Sequence, residues 1–191
     1  MNRYTVAIIT CSDKGAKGER VDTAGPAIGQ LLKADGWEVV HTAIVPDDKK
    51  TIEDMLIHCA DELGVCLTVT TGGTGFSKRD ITPEATKAVV ERETPGIPEA
   101  MRAESMRITP RGCLSREAAG IRGETLIINC PGSEKAAREC LNAVIPALRH
   151  GVEMLRGWSA ECASQHHHEH HHHHHHHEHH HEHHHGEHHH G

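Results

Sequence analysis

The sequence predicts an α/β fold with a mostly parallel sheet, because apolar, β-branched segments alternate along the chain with segments of helical periodicity. Four strand-like segments occur, at residues 4–10, 37–45, 66–70 and 125–129. Amphipathic helices separate them, and glycine or proline stands at most of the boundaries. Residues 166–191 contain only His, Glu and Gly, so this tail has no apolar surface with which to join the fold.

The first two strands of the prediction are each followed by a helix. Residues 4–10 are nearly all apolar or β-branched, which indicates a buried strand. A polar loop leads to a helix with apolar residues at helical spacing over 24–32, ended by Gly36. A second strand at 37–45 turns into another helix, whose apolar stripe covers 52–63 and stops at Gly64.

The second half continues the alternation less regularly. The strand at 66–70 leads through a glycine segment to a helix over 83–91, with Thr82 predicted as its N-cap and Pro83 as its first residue. A short helix at 98–107 and a poorly alternating strand at 113–121 follow. After the strand at 125–129, a loop precedes the last helix, whose stripe is the list Ala136, Ala137, Cys140, Leu141, Val144, Ile145, Leu148, Val152 and Leu155.

Composition excludes some functions. The chain has 191 residues, and its tail carries 20 of the 23 histidines and 4 of the 27 acidic residues, so residues 1–165 have a net charge of −3. That balance, with only four aromatic residues, gives no basic face for nucleic acid. No segment is long and apolar enough for a membrane helix, and seven cysteines without a Cys-x-x-Cys pair favour reduced thiols in the cytoplasm.

The glycine segment that follows the third strand has the parts of a phosphate-handling site. Residues 70–75 read Thr-Thr-Gly-Gly-Thr-Gly, and Lys78, Arg79 and Asp80 follow. Glycines allow positive φ and close approach of a ligand to the backbone, and threonines add hydroxyl groups. The segment is neither the Gly-x-Gly-x-x-Gly fingerprint nor a Walker loop, which argues against a dehydrogenase and an ordinary P-loop ATPase.

Polar loops follow the carboxyl ends of all four predicted parallel strands, where open α/β sheets bind ligands. Besides the glycine segment they contain Ser12 and Asp13, then Asp47, and finally residues 129–133. Asp47 and Asp80 could share Mg²⁺, which prefers hard oxygens and is commonly held by one or two carboxylates plus substrate phosphates. The alternatives are that Asp47 caps a helix and that Asp80 is only a turn residue.

Seven sequence blocks, in order, resemble the MogA family of molybdopterin adenylyltransferases and its relative, the G domain of gephyrin. The blocks lie at residues 12–14, 45–47, 70–75, 79–86, 114–116, 120–123 and 127–133. The resemblance covers about residues 4–156, and Cys130 stands where relatives often have Leu or Met. It implies a three-layer α/β/α sandwich, usually a homotrimer, in a domain over residues 1–160.

The resemblance also implies a reaction and its residues. Family members transfer AMP from ATP to the terminal phosphate of molybdopterin, and a later metal-insertion enzyme uses the product. Carried over by position, Asp47 and Asp80 are the acidic pair for Mg²⁺ and catalysis. Positions expected at the ATP and molybdopterin pocket are Ser12, Asp13, Thr71, Gly72, Gly73, Thr74, Gly75, Ser105, Ser115, Asn129, Pro131, Gly132 and Ser133.

The histidine-rich tail is not a family feature. Its histidine blocks are interrupted by glutamates, unlike an expression tag, and its composition predicts disorder over residues 161–191. Neutral imidazoles bind Ni²⁺ and Zn²⁺, so the tail is a candidate metal site that begins with His166, His167, His168, His170 and His171. The alternative is a solvated tail with incidental metal affinity.

Two other functions stay open. One is a cofactor-binding protein of the MoaB kind, with the same fold and a different or lost activity. The other is a metal-storage or scaffold protein in which the α/β domain only binds ligand. Release of pyrophosphate from ATP, dependent on molybdopterin and Mg²⁺, distinguishes the enzyme from both.

Overall fold

Six strands form one mixed sheet in the computed structural model, which describes residues 2–158. They are β1 (Thr5–Cys11), β2 (Glu38–Val45), β3 (Leu67–Thr71), β4 (Arg92–Glu93), β5 (Ala119–Arg122) and β6 (Thr125–Cys130). Their order across the sheet is β2-β1-β3-β6-β5-β4. Strands β2, β1, β3 and β6 are parallel neighbours, whereas β5 is antiparallel to both β6 and β4. The predicted α/β class with a mostly parallel sheet is confirmed.

Helices cover both faces of the sheet. They are α1 (Asp13–Ala16), α2 (Ala24–Ala34), α3 (Lys49–Ile57), α4 (Thr82–Val89), α5 (Gly96–Ile108) and α6 (Glu134–Leu155). A π-helical turn, His58–Glu62, extends α3, and a 3-10 helix, Pro110–Leu114, follows α5. Helices α2, α5 and α6 pack on one face and α3 with α4 on the other, which gives the expected three layers.

Each face of the sheet has its own apolar core, and β1 contributes to both. Val6 and Ile8 belong to the core under α2 and α6, whereas Ala7 and Ile9 belong to the core under α3 and α4. All four side chains are at most 2% exposed. Burial on both faces explains why this strand is continuously apolar in sequence rather than alternating.

Helix starts at the carboxyl side of the sheet are set by short polar residues. The Asp48 carboxylate accepts a hydrogen bond from the Thr51 N–H at 2.9 Å, and the Ser133 hydroxyl accepts one from the Ala136 N–H at 3.2 Å. The predicted cap of α4 was wrong. Thr82 is the first residue of that helix. The cap position is occupied by Ile81, which makes no side-chain hydrogen bond to the helix.

The strand predicted at residues 113–121 was also placed wrongly. The chain forms a 3-10 turn through Leu114 and becomes a strand only at Ala119. The two-residue strand β4 had no sequence signal, because it is exposed and exists only through its pairing with β5. The domain predicted over residues 1–160 accounts for all the described elements, whereas the tail at 161–191 lies outside the described residues.

Candidate active site

A cleft of about 370 Å³ lies at the carboxyl ends of the parallel strands. Eight of the residues predicted for the site line it, namely Ser12, Asp47, Thr71, Gly72, Gly73, Asp80, Gly132 and Ser133. They come from the carboxyl end of β3 and from the segments that follow β1, β2, β3 and β6. The parallel direction of these four strands therefore brings together loops that are far apart in sequence.

Asp13 and Asp47 are linked by two reciprocal hydrogen bonds. The Asp13 N–H donates to Asp47 Oδ2 at 2.9 Å, and the Asp47 N–H donates to Asp13 Oδ1 at 3.1 Å. The Arg79 guanidinium donates two hydrogen bonds to the Asp13 carboxylate, from Nη2 at 2.9 Å and from Nε at 3.0 Å. Arg79 is thus the counter-ion of Asp13, while Lys78 is exposed. Because Asp48, not Asp47, caps α3, the helix-cap alternative for Asp47 is excluded.

The electrostatics of the cleft favour a cation beside Asp47. Burial raises the pKa of Asp47, and the charges of Asp13 and Asp80 raise it further, against the opposing effect of a backbone hydrogen bond and of Arg79. The pKa of Asp13 is instead lowered, chiefly by Arg79. The alternative that Asp80 is a turn residue has support in the structure. Its Oδ2 accepts a hydrogen bond from the Ser77 N–H at 2.9 Å.

The donor set fits Mg²⁺. Asp47 and Asp80 line one cleft and their charges interact, so a divalent cation between them would relieve that repulsion. Among residues 2–158 there is no group of three or more His, Cys, Asp or Glu side chains suited to a metal. A magnesium ion here would therefore need further ligands from phosphate oxygens and water, which is its usual pattern.

Two glycines allow the loops to approach closely at the cleft floor. Gly72 has φ +97°, and a Cβ there would lie 2.3 Å from the Cys11 carbonyl oxygen. Gly73 has φ +65°, and its Cβ would lie 2.3 Å from Thr82 Oγ1 and 3.3 Å from Asp47 Oδ1. Both positions thus require glycine for conformation and for space.

The far half of the glycine segment contacts Arg116 rather than the cleft. The Arg116 N–H donates to the Thr74 carbonyl at 3.0 Å, and its side chain donates to the carbonyl oxygens of Gly75 and Asp80, both at 2.7 Å. It also pairs with Glu84 on α4. Arg116 therefore fixes the backbone on both sides of residues 76–79.

Asn129 and Pro131 support the loop that follows β6. Asn129 is fully buried, and its amide donates to the hydroxyls of Thr70 and Thr86 at 2.9 and 2.8 Å. The Pro131 carbonyl accepts from the Thr71 hydroxyl at 2.7 Å. We interpret these residues as holding the wall of the cleft, because the Asn129 side chain has no surface with which to touch a ligand.

Ser105 and Ser115 are not among the residues that line the cleft. Both are partly exposed, and Ser105 Oγ lies 3.2 Å from Cys140 Sγ. Ser115 comes directly before Arg116, whose N–H donates to the Thr74 carbonyl. Ser115 is therefore linked to the cleft through the backbone of the glycine segment. Ser105 lies on α5 and Ser115 follows the 3-10 helix, so the structure does not bring these two predicted residues into the cleft.

Eight further residues that line the cleft were missed at the sequence level, and Arg20, Thr10 and Asp22 are among them. Asp22 accepts from the Thr10 hydroxyl at 2.6 Å and from the Gly25 N–H at 3.0 Å. The available signal was the polar loop before α2, which contains both Arg20 and Asp22. Arg20 adds a positive charge that faces the cleft beside its carboxylates.

The fold and the cleft define an α/β protein of the class that binds ligands beyond the carboxyl ends of a parallel sheet. Residues 7–150 match the family model described as a probable molybdopterin binding domain, and the chain belongs to that family. Within residues 2–158, no helix combines the length and hydropathy that crossing a membrane requires.

Relatives cover most of the chain. A molybdopterin adenylyltransferase of Helicobacter pylori J99 is 43% identical over 159 residues, which are 82% of this chain and 90% of that protein. Gephyrin of Dictyostelium discoideum is 40% identical over 162 residues, 80% of this chain and 22% of that protein. The crystal structure of the molybdopterin biosynthesis enzyme MoaB from Thermus thermophilus is 47% identical, with TM-score 0.77, covering 81% and 97% of the two chains. The resemblance to the MogA family is confirmed.

Proposed function

We propose that this protein is a molybdopterin adenylyltransferase, which transfers AMP from ATP to the terminal phosphate of molybdopterin and releases pyrophosphate. The observation that carries the proposal is the placement of Asp47 and Asp80 in one cleft above a glycine floor at the sheet's carboxyl edge. Membership of the family and the name of the H. pylori relative support the same activity.

The reaction requires little acid–base catalysis from the protein. An oxygen of the molybdopterin phosphate attacks the α-phosphorus of ATP, a new P–O bond forms, and the bond to the bridging oxygen of the β-phosphate breaks. The electron pair leaves with pyrophosphate, and the nucleophile is already an anion, so no strong base is needed. Positioning of two anions and neutralisation of their charge should supply most of the rate.

The residues of the cleft divide these tasks. Asp47 and Asp80 would hold Mg²⁺, which supplies positive charge to the phosphates. Arg20 adds a second positive charge, and Gly132 and Ser133 lie at the N-terminus of the 22-residue helix α6. A helix N-terminus favours negative charge, so this edge of the cleft suits phosphate oxygens.

The test is pyrophosphate release from ATP in the presence and absence of molybdopterin and Mg²⁺. Asp47→Asn and Asp80→Asn keep the side-chain shape and remove the charge, and we expect each to lower the rate about a hundredfold or more. Asp48→Asn is the matched control, because Asp48 is adjacent and caps α3, a role that Asn also fills.

Three outcomes of this assay are informative. Release that requires molybdopterin and both aspartates supports the enzyme. A wild-type protein that binds molybdopterin without releasing pyrophosphate is instead a cofactor-binding protein of the MoaB kind. Full activity in both Asp47→Asn and Asp80→Asn would remove these residues from the mechanism.

We also propose a homotrimer as the working assembly and a metal-insertion enzyme as the consumer of adenylyl-molybdopterin. The trimer is inferred from the family resemblance and is tested by light scattering of the purified protein. The downstream partner follows from the chemistry of the product, whose phosphoanhydride bond stores energy for a later step. A monomer at all concentrations with full activity would contradict the trimer.

The histidine-rich tail is proposed as an accessory site for Ni²⁺ or Zn²⁺. Its 20 histidines supply many borderline-soft nitrogen ligands. Metal titration of the full chain and of residues 1–165 near neutral pH should show high-capacity binding only in the full chain. Equal capacity in both forms would contradict the proposal, whereas equal adenylyl transfer in both would show that the tail is not part of the enzyme.

A further inference from the structure

A groove of about 660 Å³ lies beside the cleft, between helix α2 and the edge strand β2. Apolar side chains from α2, β1 and β2 line most of it, together with the polar residues Gln30, Lys33 and Thr42. Sites for small molecules are typically cavities of this kind, largely apolar with a few polar groups. No step of the proposed reaction uses this groove.

The groove and the cleft are neighbours, because Thr10 and Asp22 line both of them. Asp22 is held in place at this junction. Its Oδ1 accepts a hydrogen bond from the Gly25 N–H at 3.0 Å, and its Oδ2 accepts one from the Thr10 hydroxyl at 2.6 Å. An ionised carboxylate has about four lone-pair sites, so it can accept from further donors. Asp22 is half-buried and thus presents a fixed acceptor between the two cavities.

Two buried glycines on α2, Gly25 and Gly29, form part of the groove wall. A Cβ at Gly25 would lie 2.4 Å from Asp22 Oδ2, so glycine is needed for the helix to approach this carboxylate. A Cβ at Gly29 would have only ordinary van der Waals contacts, 3.4 Å to Ile8 Cδ1 and 3.9 Å to Val39 Cγ2, and both of these residues line the groove. A methyl group at Gly29 therefore fits the protein but takes space beside the groove.

We propose that the nucleoside of ATP occupies this groove, with Asp22 accepting hydrogen bonds from the ribose hydroxyls and the base lying between α2 and β2. This inference rests on the proposed function, which puts the phosphates of ATP beside Asp47 and Asp80. Along the nucleotide, the ribose follows the α-phosphate and the base follows the ribose. The protein presents matching features in the same order, namely the cleft, the Asp22 carboxylate and the apolar groove. Acidic side chains bind ribose hydroxyls in other nucleotide sites of α/β proteins.

Molybdopterin fits this path less well than ATP does. Its phosphate arm leads to a ring with two sulfur groups, which are negatively charged when ionised, and it has no pair of ribose hydroxyls for Asp22. A thiolate next to a half-buried carboxylate is repelled, because like charges at short distance disfavour each other. The groove is therefore assigned to ATP, and molybdopterin must reach the α-phosphate from another side of the cleft.

The experiment is equilibrium binding to the full chain with Mg²⁺ present and molybdopterin absent, so that no adenylyl transfer takes place. The probes are ATP, dideoxy-ATP, which lacks both ribose hydroxyls, and inorganic triphosphate. We expect the wild type to bind ATP at least about tenfold more tightly than either other probe, because hydrogen bonds to a charged group are strong. Asp22→Asn keeps an acceptor for the Gly25 N–H and loses the charge. It should bind ATP and dideoxy-ATP with nearly equal affinity, and its affinity for inorganic triphosphate should not fall.

A second variant, Gly29→Ala, tests the groove itself. Its urea denaturation midpoint should not fall, because alanine favours a helix more than glycine does. It should nevertheless bind ATP at least about fivefold more weakly, because the methyl group takes space that the base needs, and bind inorganic triphosphate as the wild type does. Gly151→Ala is the matched control, because Gly151 lies in α6 and a Cβ there would have no atom within 4 Å.

Three results would overturn the inference. If Asp22→Asn discriminates between ATP and dideoxy-ATP as the wild type does, Asp22 does not contact the ribose. If Gly29→Ala binds ATP with wild-type affinity, the base lies elsewhere. If the wild type binds inorganic triphosphate as tightly as ATP, the protein has no nucleoside site. Because the experiment requires no turnover, the expected binding pattern without pyrophosphate release would remove the proposed activity and leave the nucleoside site intact.

Discussion

Asp13 and Asp47 each accept a hydrogen bond from the backbone N–H of the other, at distances of 3.1 and 2.9 Å. This exchange fixes the loops after β1 and β2 to each other at the rim of the cleft. It also holds two carboxylates close together, and the forked pair between Arg79 and Asp13 offsets only one of them. Asp47 is left with a raised pKa in a cleft that it shares with Asp80.

The first prediction concerns Arg79 as counter-ion. Arg79 lowers the pKa of Asp47, so Arg79→Met should raise that pKa and move the acid limb of the pH–rate profile for adenylyl transfer to higher pH. Activity is lost on acidification because Asp47 becomes protonated, and a neutral carboxyl group holds a cation poorly. Lys78→Met is the matched control, because Lys78 is adjacent and exposed. An unmoved acid limb in Arg79→Met would contradict this account.

The second prediction separates two reasons for glycine at position 73. Gly73→Ala combines strain at φ +65° with a Cβ 2.3 Å from Thr82 Oγ1, and we expect a loss of roughly 2–4 kcal/mol in the free energy of unfolding. Gly64→Ala has φ +59° but no atom within 4 Å of its Cβ, so it should lose only about 1 kcal/mol. Urea unfolding measures both. Equal losses would mean that the close approach is not important.

Much of the fold could be predicted because it depends on local periodicity and on burial. The four parallel strands are apolar in sequence since helices cover both faces, and Gly64 with φ +59° ends the helical segment as its position indicates. Strand β4 could not be predicted, because Arg92 and Glu93 are exposed and become a strand only by pairing with Gly120 and Ile121.

The site divides in the same way. Asp47, Asp80 and the glycines could be placed together because each follows a parallel strand, and parallel strands end at one edge of the sheet. Arg20 could not, since only the path of the loop after α1 directs it to the cleft. Asn129 was predicted as a pocket residue, yet its amide donates both hydrogens to the hydroxyls of Thr70 and Thr86. This arrangement depends on how β6 packs against β3 and α4, which the sequence does not show.

The third prediction concerns Arg116, whose side chain donates hydrogen bonds to carbonyl oxygens on both sides of residues 76–79. Lysine cannot reproduce its separate bonds to Gly75, Asp80 and Glu84, so Arg116→Lys should release this backbone. We expect at least a tenfold loss of adenylyl transfer and a loss of roughly 1–3 kcal/mol in unfolding free energy. Arg111→Lys serves as the control, because Arg111 is exposed. Full activity in Arg116→Lys would show that Asp80 is placed without it.

The last prediction concerns Glu117, a buried acid that is only 4% exposed. Glu117 has an ordinary pKa of 4.5 in the unfolded chain and about 7 in the folded protein. Below pH 4.5 it is protonated in both states and costs nothing. Between pH 4.5 and about 7 only the unfolded chain releases the proton, so the wild type loses stability as pH rises, and above about pH 7 the loss is complete.

This difference in pKa corresponds to about 3 kcal/mol. Glu117→Gln cannot titrate, so its advantage over the wild type in unfolding free energy should grow by about that amount between about pH 4 and pH 8, measured by urea denaturation. Glu124→Gln, at an exposed glutamate in the turn between β5 and β6, is the matched control. A constant difference between Glu117→Gln and wild type across this range would mean that folding does not raise the pKa of Glu117.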